Sequence, residues 1–190
     1  MLEQKILNKT ILNRTIVYIL FIFFSTCLLA LSSKIKIPFY PVPMTMQTFV
    51  VLSIGIIFGP RLGLITLGTY LLEGMMGIPV FAGTPEKGIG LSYILGPTGG
   101  YLIGYMISAF IAGKINFQRS FWSRVVMLIF AISPIYIFGI FWLGIIFGFD
   151  KPLFNWGLNP FILAEIFKIL LLAILIPKLL LFRKNFSNKI

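Results

Sequence analysis

The segment NPFILAEIFKILLLAILI, residues 159–176, decides the class of this chain. It is almost wholly apolar, yet it contains an acid, Glu165, and a base, Lys168, three residues apart. A helix this apolar belongs in a bilayer, where each ionisable side chain costs about 2.5–3.5 kcal/mol on insertion scales. Residues i and i+3 share one face of a helix. The pair is therefore either an internal ion pair that stabilises a bundle or a site for a small molecule with hydrogen-bond donors and acceptors.

The whole chain has the composition of an integral membrane protein. Of its 190 residues, 58% are hydrophobic and 11% are charged, and the mean hydropathy is +1.00. Soluble domains are about 45–50% apolar and about 25% charged. Apolar runs of about 20 residues predict membrane-spanning helices. We predict an all-α bundle in a single domain with a cytoplasmic tail at 183–190 and six spans: 15–32, 45–59, 62–77, 96–113, 124–147 and 161–182. Only GPR separates the second and third spans, which predicts a tight helical hairpin.

The net charge of +11 is distributed as membrane topology predicts. Four basic residues lie on one side of the predicted spans, namely Lys34, Lys36, Lys87 and Lys151, and Lys168 lies within the last span. The other side has Lys5, Lys9, Arg14, Arg61, Lys114, Arg119, Arg124, Lys178, Arg183, Lys184 and Lys189. Cytoplasmic loops are rich in Lys and Arg, so both termini are predicted to be cytoplasmic. This pattern explains the charge better than nucleic-acid binding does.

The sequence argues against an enzyme. It has no His, and its one cysteine, Cys27, lies within the first span. Catalysis through His, the common zinc sites and a disulfide framework are therefore not expected. The phosphate-binding pattern GxxxxGK[ST] does not occur, so no ATPase is recognisable in the chain. We expect no catalytic residue, no metal site and no cofactor.

Two connections on the outer side are unusual. KIKIPFYPVPMTMQT, residues 34–48, has three prolines and is predicted to be extended and to lie over the outer mouth of the bundle. GIPVFAGTPEKGIGLSYILGP, residues 77–97, is longer than connections usually are and is rich in apolar residues. We expect it to form an ordered cap over a ligand pocket.

Several further polar and aromatic residues are candidates for that pocket. Gln47, in a cluster with Thr45 and Thr48, is the better ligand candidate, while Thr45 is expected to cap a helix. Glu73 either pairs with Lys168, lines the pocket or stays protonated. Aromatic walls suit an apolar ligand body, and the outer rim has Tyr40, Phe81, Tyr93 and Tyr101.

Glycines and other small residues leave two further questions open. GPTGGYLIG, residues 96–104, begins the fourth span, and its glycines either expose backbone N–H groups to an anion or permit close helix packing. Small residues recur every four positions in this span and in the second. Such stripes serve either packing within the chain or docking onto a partner membrane protein.

Taken together, these motifs carry a family resemblance. PVPMTMQT, GPRLG, GIPVFAG, GPTGGYLIG and the final acid-x-x-Lys occur in this order over approximately residues 26–180. The chain resembles BioY, the substrate-binding (S) component of bacterial biotin transporters of the energy-coupling-factor (ECF) class. The resemblance implies high-affinity capture of biotin at the outer face of the plasma membrane. It also implies a transmembrane coupling protein and a pair of ATPases as partners, with ATP bound only by those partners.

The resemblance also implies roles for individual residues. Glu165 and Lys168 match the family's acid and lysine, although the family typically has Asp at the first position. Thr84 and Lys87 lie in a loop that is Gly-rich in the family. Lys168 would donate either to the ureido carbonyl of biotin or to its carboxylate, and Lys87 is the alternative partner for the carboxylate. Residue 73 is usually apolar in the family, whereas here it is Glu73.

On the first helix the family has small residues that contact the coupling protein, and Thr26 and Ala30 are the nearest equivalent here. The alternative within transport is a solitary or proton-linked vitamin carrier with Glu73 as its coupling group. A scaffold protein is the remaining alternative, and it would not need Glu165 and Lys168 in a pocket.

Overall fold

The computed structural model describes residues 2–84 and 88–189, with side chains at 14–84 and 88–185. These residues form a helical bundle with α1 Leu2–Lys34, α2 Gln47–Met75, α3 Leu91–Ile94, α4 Gly99–Lys114, α5 Phe121–Phe147, α6 Leu153–Gly157 and α7 Ile162–Lys189. A two-stranded antiparallel ribbon joins α1 to α2, with β1 at Lys36–Ile37 and β2 at Met44–Thr45. A 3-10 turn, Asn159–Phe161, precedes α7.

The segment α2 is a helical hairpin. Its helical geometry breaks at Gly59, where φ is 78° and ψ is 179°, and Pro60 follows directly. Glycine adopts this positive φ without steric penalty, and proline is suited to the first turn of the helix that follows. Gln47 Nε2 lies 2.7 Å from Tyr70 Oη, although 23 residues of straight helix would separate them by about 35 Å. The hairpin predicted at GPR is therefore confirmed.

Four segments have the length and hydropathy of a membrane span, whereas the sequence predicts six. They are Arg14–Lys34, Gln47–Met75, Phe121–Phe147 and Leu153–Asn185. Two features account for the difference. The hairpin halves of α2 form one continuous apolar stretch, and α4 has only 16 residues, fewer than the ~20 that span a bilayer at full thickness.

The Pro-rich connection folds back on itself instead of running as one extended strap. Lys36 pairs with Thr45, and Ile37 pairs with Met44, across the ribbon. The three prolines lie within residues 38–43, between the two strands, where proline's missing N–H removes no ladder hydrogen bond. The segment is non-helical as predicted, but its shape is a hairpin.

Glycines permit close helix contacts inside the chain. A Cβ at Gly55 would overlap the backbone of Ala109 on α4, and a Cβ at Gly113 would overlap Pro60. Gly100 and Gly104 are packed in the same way against the α5 backbone. At these positions the small residues serve packing within the chain, which was one of the two alternatives for the stripes.

Replacing Gly55 with alanine should destabilise the bundle. The added methyl group would meet backbone atoms of Ala109, which cannot rotate away as a side chain can. Overpacking of this kind typically costs about 1–3 kcal/mol. Gly68→Ala is the matched control, because its Cβ would only reach the flexible end of Met106 at 3.8 Å. Thermal unfolding in detergent should show a lower midpoint for Gly55→Ala alone, and equal midpoints would contradict the packing argument.

Replacing Ser108 with alanine should stabilise the bundle, in contrast to the substitution at Gly55. Ser108 is fully buried on α4, and its Oγ has no hydrogen-bond partner among the described residues. An unsatisfied buried polar group costs about 1–3 kcal/mol. Ser108→Ala should therefore raise the unfolding midpoint, whereas Ser53→Ala should not, because Ser53 Oγ donates to the Phe49 carbonyl at 2.7 Å. A lower midpoint for Ser108→Ala would contradict this account.

The two ends of the bundle differ in charge, as the sequence predicts. At one end, Arg183 Nη1 donates to the carbonyls of Ile56 and Gly113, at 3.2 and 3.5 Å. We call this the basic end, because Arg61, Lys114 and Arg119 adjoin the same helix ends. The opposite end holds the ribbon, the described part of the 77–97 connection and the start of α7, and we call it the site end.

Candidate functional site

Glu165 and Lys168 form a buried ion pair at the site end. Glu165 lies in the first turn of α7 and is 7% exposed, while Lys168 lies one turn further on and is 4% exposed. Lys168 Nζ is 2.6 Å from Glu165 Oε1. The helix N-terminus favours a negative charge in its first turn. The Glu165 carboxylate therefore lies at the positive end of the α7 dipole and in contact with the Lys168 ammonium.

Thr48, at the start of α2, completes this network. Its Oγ1 lies 2.9 and 3.1 Å from the two carboxylate oxygens of Glu165. Lys168 Nζ also donates to Thr48 Oγ1 at 3.0 Å and to the Thr45 carbonyl at 2.7 Å. The Thr45 hydroxyl in turn accepts the N–H of Gln47 at 3.3 Å. The N-cap of α2 is Met46, not Thr45 as predicted. All three ammonium hydrogens of Lys168 thus have acceptors, and the pair is held between α2 and α7.

A cavity of about 500 Å³, including its open mouth, adjoins this network. Its polar wall consists of Thr45, Gln47, Thr48, Thr98 and Glu165. Its aromatic wall consists of Phe81, Tyr93, Tyr101, Tyr105, Tyr136 and Phe161. The remaining lining comes from the ribbon and its turn, from Ala82 and from aliphatic residues of α4 and α5. A largely aromatic cavity with a few converging polar groups is the usual form of a small-molecule site.

The end of α1 fixes one edge of the cavity. Ser33 Oγ donates to the Val80 carbonyl at 2.8 Å. Lys34 Nζ donates to the Phe81 carbonyl at 2.8 Å, and Lys36 Nζ donates to the Ala82 carbonyl at 2.6 Å. Phe81 and Ala82 both line the cavity. The described part of this connection is therefore an ordered wall, held by hydrogen bonds to α1.

Tyr93, on the short helix α3, closes the same wall. Its ring stacks on Phe81 with centroids 5.0 Å apart, and its hydroxyl accepts the N–H of Gly83 at 3.1 Å. Burial raises the pKa of the Tyr93 phenol. The hydroxyl therefore stays protonated at neutral pH and retains its capacity to donate.

The structure brings five of the predicted pocket residues to the cavity wall. They are Gln47, Phe81, Tyr93, Tyr101 and Glu165. Gln47 Nε2 donates to Tyr70 Oη at 2.7 Å, and Tyr101 Oη donates to the Gly157 carbonyl at 2.8 Å. Lys168 lies behind Glu165 and is not part of the lining.

The other candidates lie elsewhere or outside the described residues. Thr84 is buried, and its hydroxyl donates to the Phe81 carbonyl at 2.8 Å without lining the cavity. Glu73 accepts a hydrogen bond from Thr26 Oγ1 at 3.0 Å, between α1 and α2. It therefore neither pairs with Lys168 nor lines the cavity. Lys87 lies outside the described residues.

The predicted partner surface on α1 needs a correction. Thr26 is 1% exposed and is occupied by its bond to Glu73, and Ala30 is half-buried. Thr26 faces the second half of α2, where Glu73 accepts its hydrogen bond. The exposed face of α1 is formed by bulky residues such as Phe23, Phe24 and Leu28.

Sequence reasoning missed Tyr105, Tyr136 and Phe161 in the cavity wall. Tyr105 had a usable signal, because it lies four residues after Tyr101 and so on the same face of α4. Tyr136 and Phe161 had none, since aromatic residues occur throughout this chain.

The start of α4 is used for helix packing. A Cβ at Gly99 or Gly100 would overlap Ile94 or the α5 backbone. Trp142 Nε1 on α5 donates to the Gly96 carbonyl at 2.9 Å. Of the two interpretations of the glycines, the structure favours close packing.

Comparison with known proteins identifies the family. The model of the BioY family matches residues 4–184. The chain belongs to the BioY family. A probable biotin transporter BioY from Pyrococcus horikoshii is 39% identical over 145 residues, which cover 74% of this chain and 82% of that protein. The biotin transporter BioY of Thermotoga maritima is 33% identical over 155 residues, which cover 81% of this chain and 90% of that protein.

A solved structure also matches the fold. The 2.1 Å crystal structure of the S-component for biotin from an ECF-type ABC transporter superposes with a TM-score of 0.72 and 25% identity. The match covers 88% of this chain and 92% of that chain. The resemblance inferred from the sequence motifs is therefore confirmed, and this BioY protein is a multi-pass membrane protein.

Proposed function

We propose that this chain captures biotin in the cavity at the site end and takes it up as the substrate-specific component of an ATP-driven ECF transporter. One observation supports this above all: a buried carboxylate, Glu165, on the wall of a cavity that is otherwise mostly aromatic and aliphatic. The names of the relatives agree with it, since two are biotin transporters and the matching crystal structure is an S-component for biotin.

The chemistry of biotin suits this wall. Its fused rings present a ureido group with two N–H donors and one carbonyl acceptor, on an otherwise apolar body. The Glu165 carboxylate accepts the ureido N–H groups, and hydrogen bonds to an ionised acceptor are the strong ones. The rings of Tyr101, Tyr105 and Tyr136 pack against the apolar body. The Thr48 hydroxyl, now bonded to Glu165, can turn to donate to the ureido carbonyl.

Lys168 acts on the ligand through Glu165 in this proposal. Its ammonium lies behind the carboxylate and holds it in its orientation, with further bonds to Thr45 and Thr48. The biotin side chain then runs towards the mouth, where Lys34 and Lys36 reach the carbonyls of Phe81 and Ala82. Positive charge at this rim suits the carboxylate that ends the biotin side chain.

The basic end faces the cytoplasm in this proposal, with both termini on that side of the plasma membrane. The excess of Lys and Arg at that end supports the orientation. The halves of α2 and the short helix α4 then cross the membrane with α1, α5 and α7, which gives six crossings. Partner ATPases and a coupling membrane protein supply the energy, because the chain has no recognisable phosphate-binding loop.

Uptake of labelled biotin tests the partnership. A host that lacks its own biotin transporter and coupling factors should take up biotin when it expresses the chain together with a coupling protein and its ATPases. Uptake should stop when the phosphate-binding lysine of the ATPases is replaced. A solitary or proton-linked carrier would transport without the partners, and proton-linked uptake would fall with an uncoupler or with Glu73→Gln. That result would contradict the ECF assignment.

A further inference from the structure

Another cavity opens at the basic end, far from Glu165. It is an open groove between the end of α4, the α4–α5 connection, the start of α5 and the end of α7, with an empty volume of about 1770 Å³ that includes open solvent. Five basic residues line it: Lys114, Arg119, Arg124, Arg183 and Lys184. We call this cavity the basic groove. Its described lining contains no Asp or Glu.

Membrane topology alone does not explain this concentration of charge. The positive-inside rule requires Lys and Arg on one side of the membrane, but not around one cavity. Eight basic side chains of that side lie within the described range, and five of them line the groove. The other three are Arg14, Arg61 and Lys178. Gathering five like charges around one opening is unfavourable unless an anion offsets their repulsion.

Three of the five cations are held in place by the protein. Arg183 Nη1 donates to the carbonyls of Ile56 and Gly113, and Arg124 Nε donates to the Phe117 carbonyl at 3.1 Å. Lys114 Nζ lies 4.5 Å from the centroid of the Phe110 ring. Arg119 and Lys184 lie exposed at the mouth. An anion entering the groove would thus meet a partly preorganised set of donors.

The groove also has an apolar side that faces the lipid. Leu180 and Leu181 of α7 line it, and Leu181 is 64% exposed. Trp122, two residues before Arg124, is 72% exposed. Exposed tryptophans mark the headgroup level of a membrane. The groove therefore offers cations at headgroup depth beside a surface suited to acyl chains.

We propose that the basic groove binds the headgroup of an anionic phospholipid, with its phosphate among Arg119, Arg124 and Lys184 and its acyl chains along Leu181. Basic pockets between membrane helices bind such headgroups by charge and hydrogen bonding. A free phosphate shares the charge but cannot use the apolar side. The inference does not depend on the ligand bound at the site end.

Lipid binding to the purified full-length protein tests this inference. The probes are phosphatidylglycerol and cardiolipin, with phosphatidylcholine as the neutral reference, added in equal amounts and counted by native mass spectrometry. The groove variant is Arg119→Gln/Lys184→Gln. The matched control is Arg61→Gln/Lys178→Gln, which removes the same charge from exposed residues of the same side. Each basic residue near an anionic surface contributes roughly a factor of five, so the groove variant should bind anionic lipid at least about ten-fold more weakly.

The control variant should retain anionic lipid binding within about two-fold, a margin below the contribution of one basic residue. Equal losses in both variants would overturn the inference, since they would show attraction to the whole basic end. Equal binding of phosphatidylcholine by the wild-type protein would overturn it independently of any variant.

Displacement of the lipid by millimolar inorganic phosphate would assign the groove to a soluble anion instead. Unchanged lipid binding by the groove variant with a loss of partner-dependent uptake would assign it to a protein partner.

Discussion

Lys168→Ala should weaken biotin binding strongly and should also lower the stability of the protein. The substitution leaves the carboxylate of Glu165, only 7% exposed, without the ammonium that lies 2.6 Å away. Removing one partner of a buried ion pair typically costs about 3–5 kcal/mol. Without that ammonium, the Glu165 carboxylate also loses the hydrogen bond that orients it towards the ligand. Thermal unfolding and biotin titration on the same preparation measure both effects.

A double variant separates the two effects. Glu165→Gln/Lys168→Met removes both charges, and replacing a buried pair by well-packed neutral groups is often neutral for stability. We expect its unfolding midpoint to recover most of the loss seen in Lys168→Ala, while biotin binding stays about as weak as in Glu165→Gln alone. A double variant that binds biotin as the wild type does would refute a role of the pair in recognition and leave only the structural role of an internal ion pair.

Glu165→Gln should fold but bind biotin much more weakly. The amide is uncharged and has only one acceptor oxygen, so the ureido N–H groups lose a charged partner. Hydrogen bonds to charged groups contribute about 1.5–3 kcal/mol, so the dissociation constant should rise roughly ten- to hundred-fold. Lys168 keeps its bonds to the Thr45 carbonyl and the Thr48 hydroxyl, which limits the loss of stability.

Glu165→Asp is the control for that variant. It retains the carboxylate and shortens the side chain by one methylene, which gives the acid typical of the family. We expect its dissociation constant to stay within about ten-fold of the wild-type value, less than the loss of a charged hydrogen bond. If Gln and Asp at position 165 were equally harmful, side-chain length rather than charge would govern binding.

The sequence predicted those parts of the fold that lipid and local geometry determine. The hairpin at Gly59 follows from a Gly-Pro break between two apolar stretches. The shared face of Glu165 and Lys168 follows from their spacing on a helix, and the need to bury both charges follows from the cost of exposing them to lipid. The division of charge between the two ends follows from the positive-inside rule.

Contacts between distant parts of the chain could not be predicted. Thr48 bonds to Glu165, 117 residues away, because of how α2 packs on α7. Sequence spacing gave no reason to choose Thr48 over Gln47. The position of Lys168 behind Glu165, rather than in the cavity wall, depends on the rotation of α7 in the bundle.

The surroundings of Glu73 could not be predicted from the sequence either. Its carboxylate near the end of an apolar helix suggested a place in the pocket. Its helix turns that face towards α1 instead, where Thr26 donates to it. Helical spacing specifies which residues of one helix share a face, but not which neighbouring helix that face meets.

Titration of biotin into the purified wild-type protein in detergent tests the central claim most directly. Isothermal calorimetry should show saturable binding of one biotin per chain with a dissociation constant in the nanomolar range. The claim would be contradicted if a protein with an intact cooperative unfolding transition gave no saturable biotin binding. It would equally be contradicted if the protein were purified with a different vitamin in the cavity that biotin does not displace.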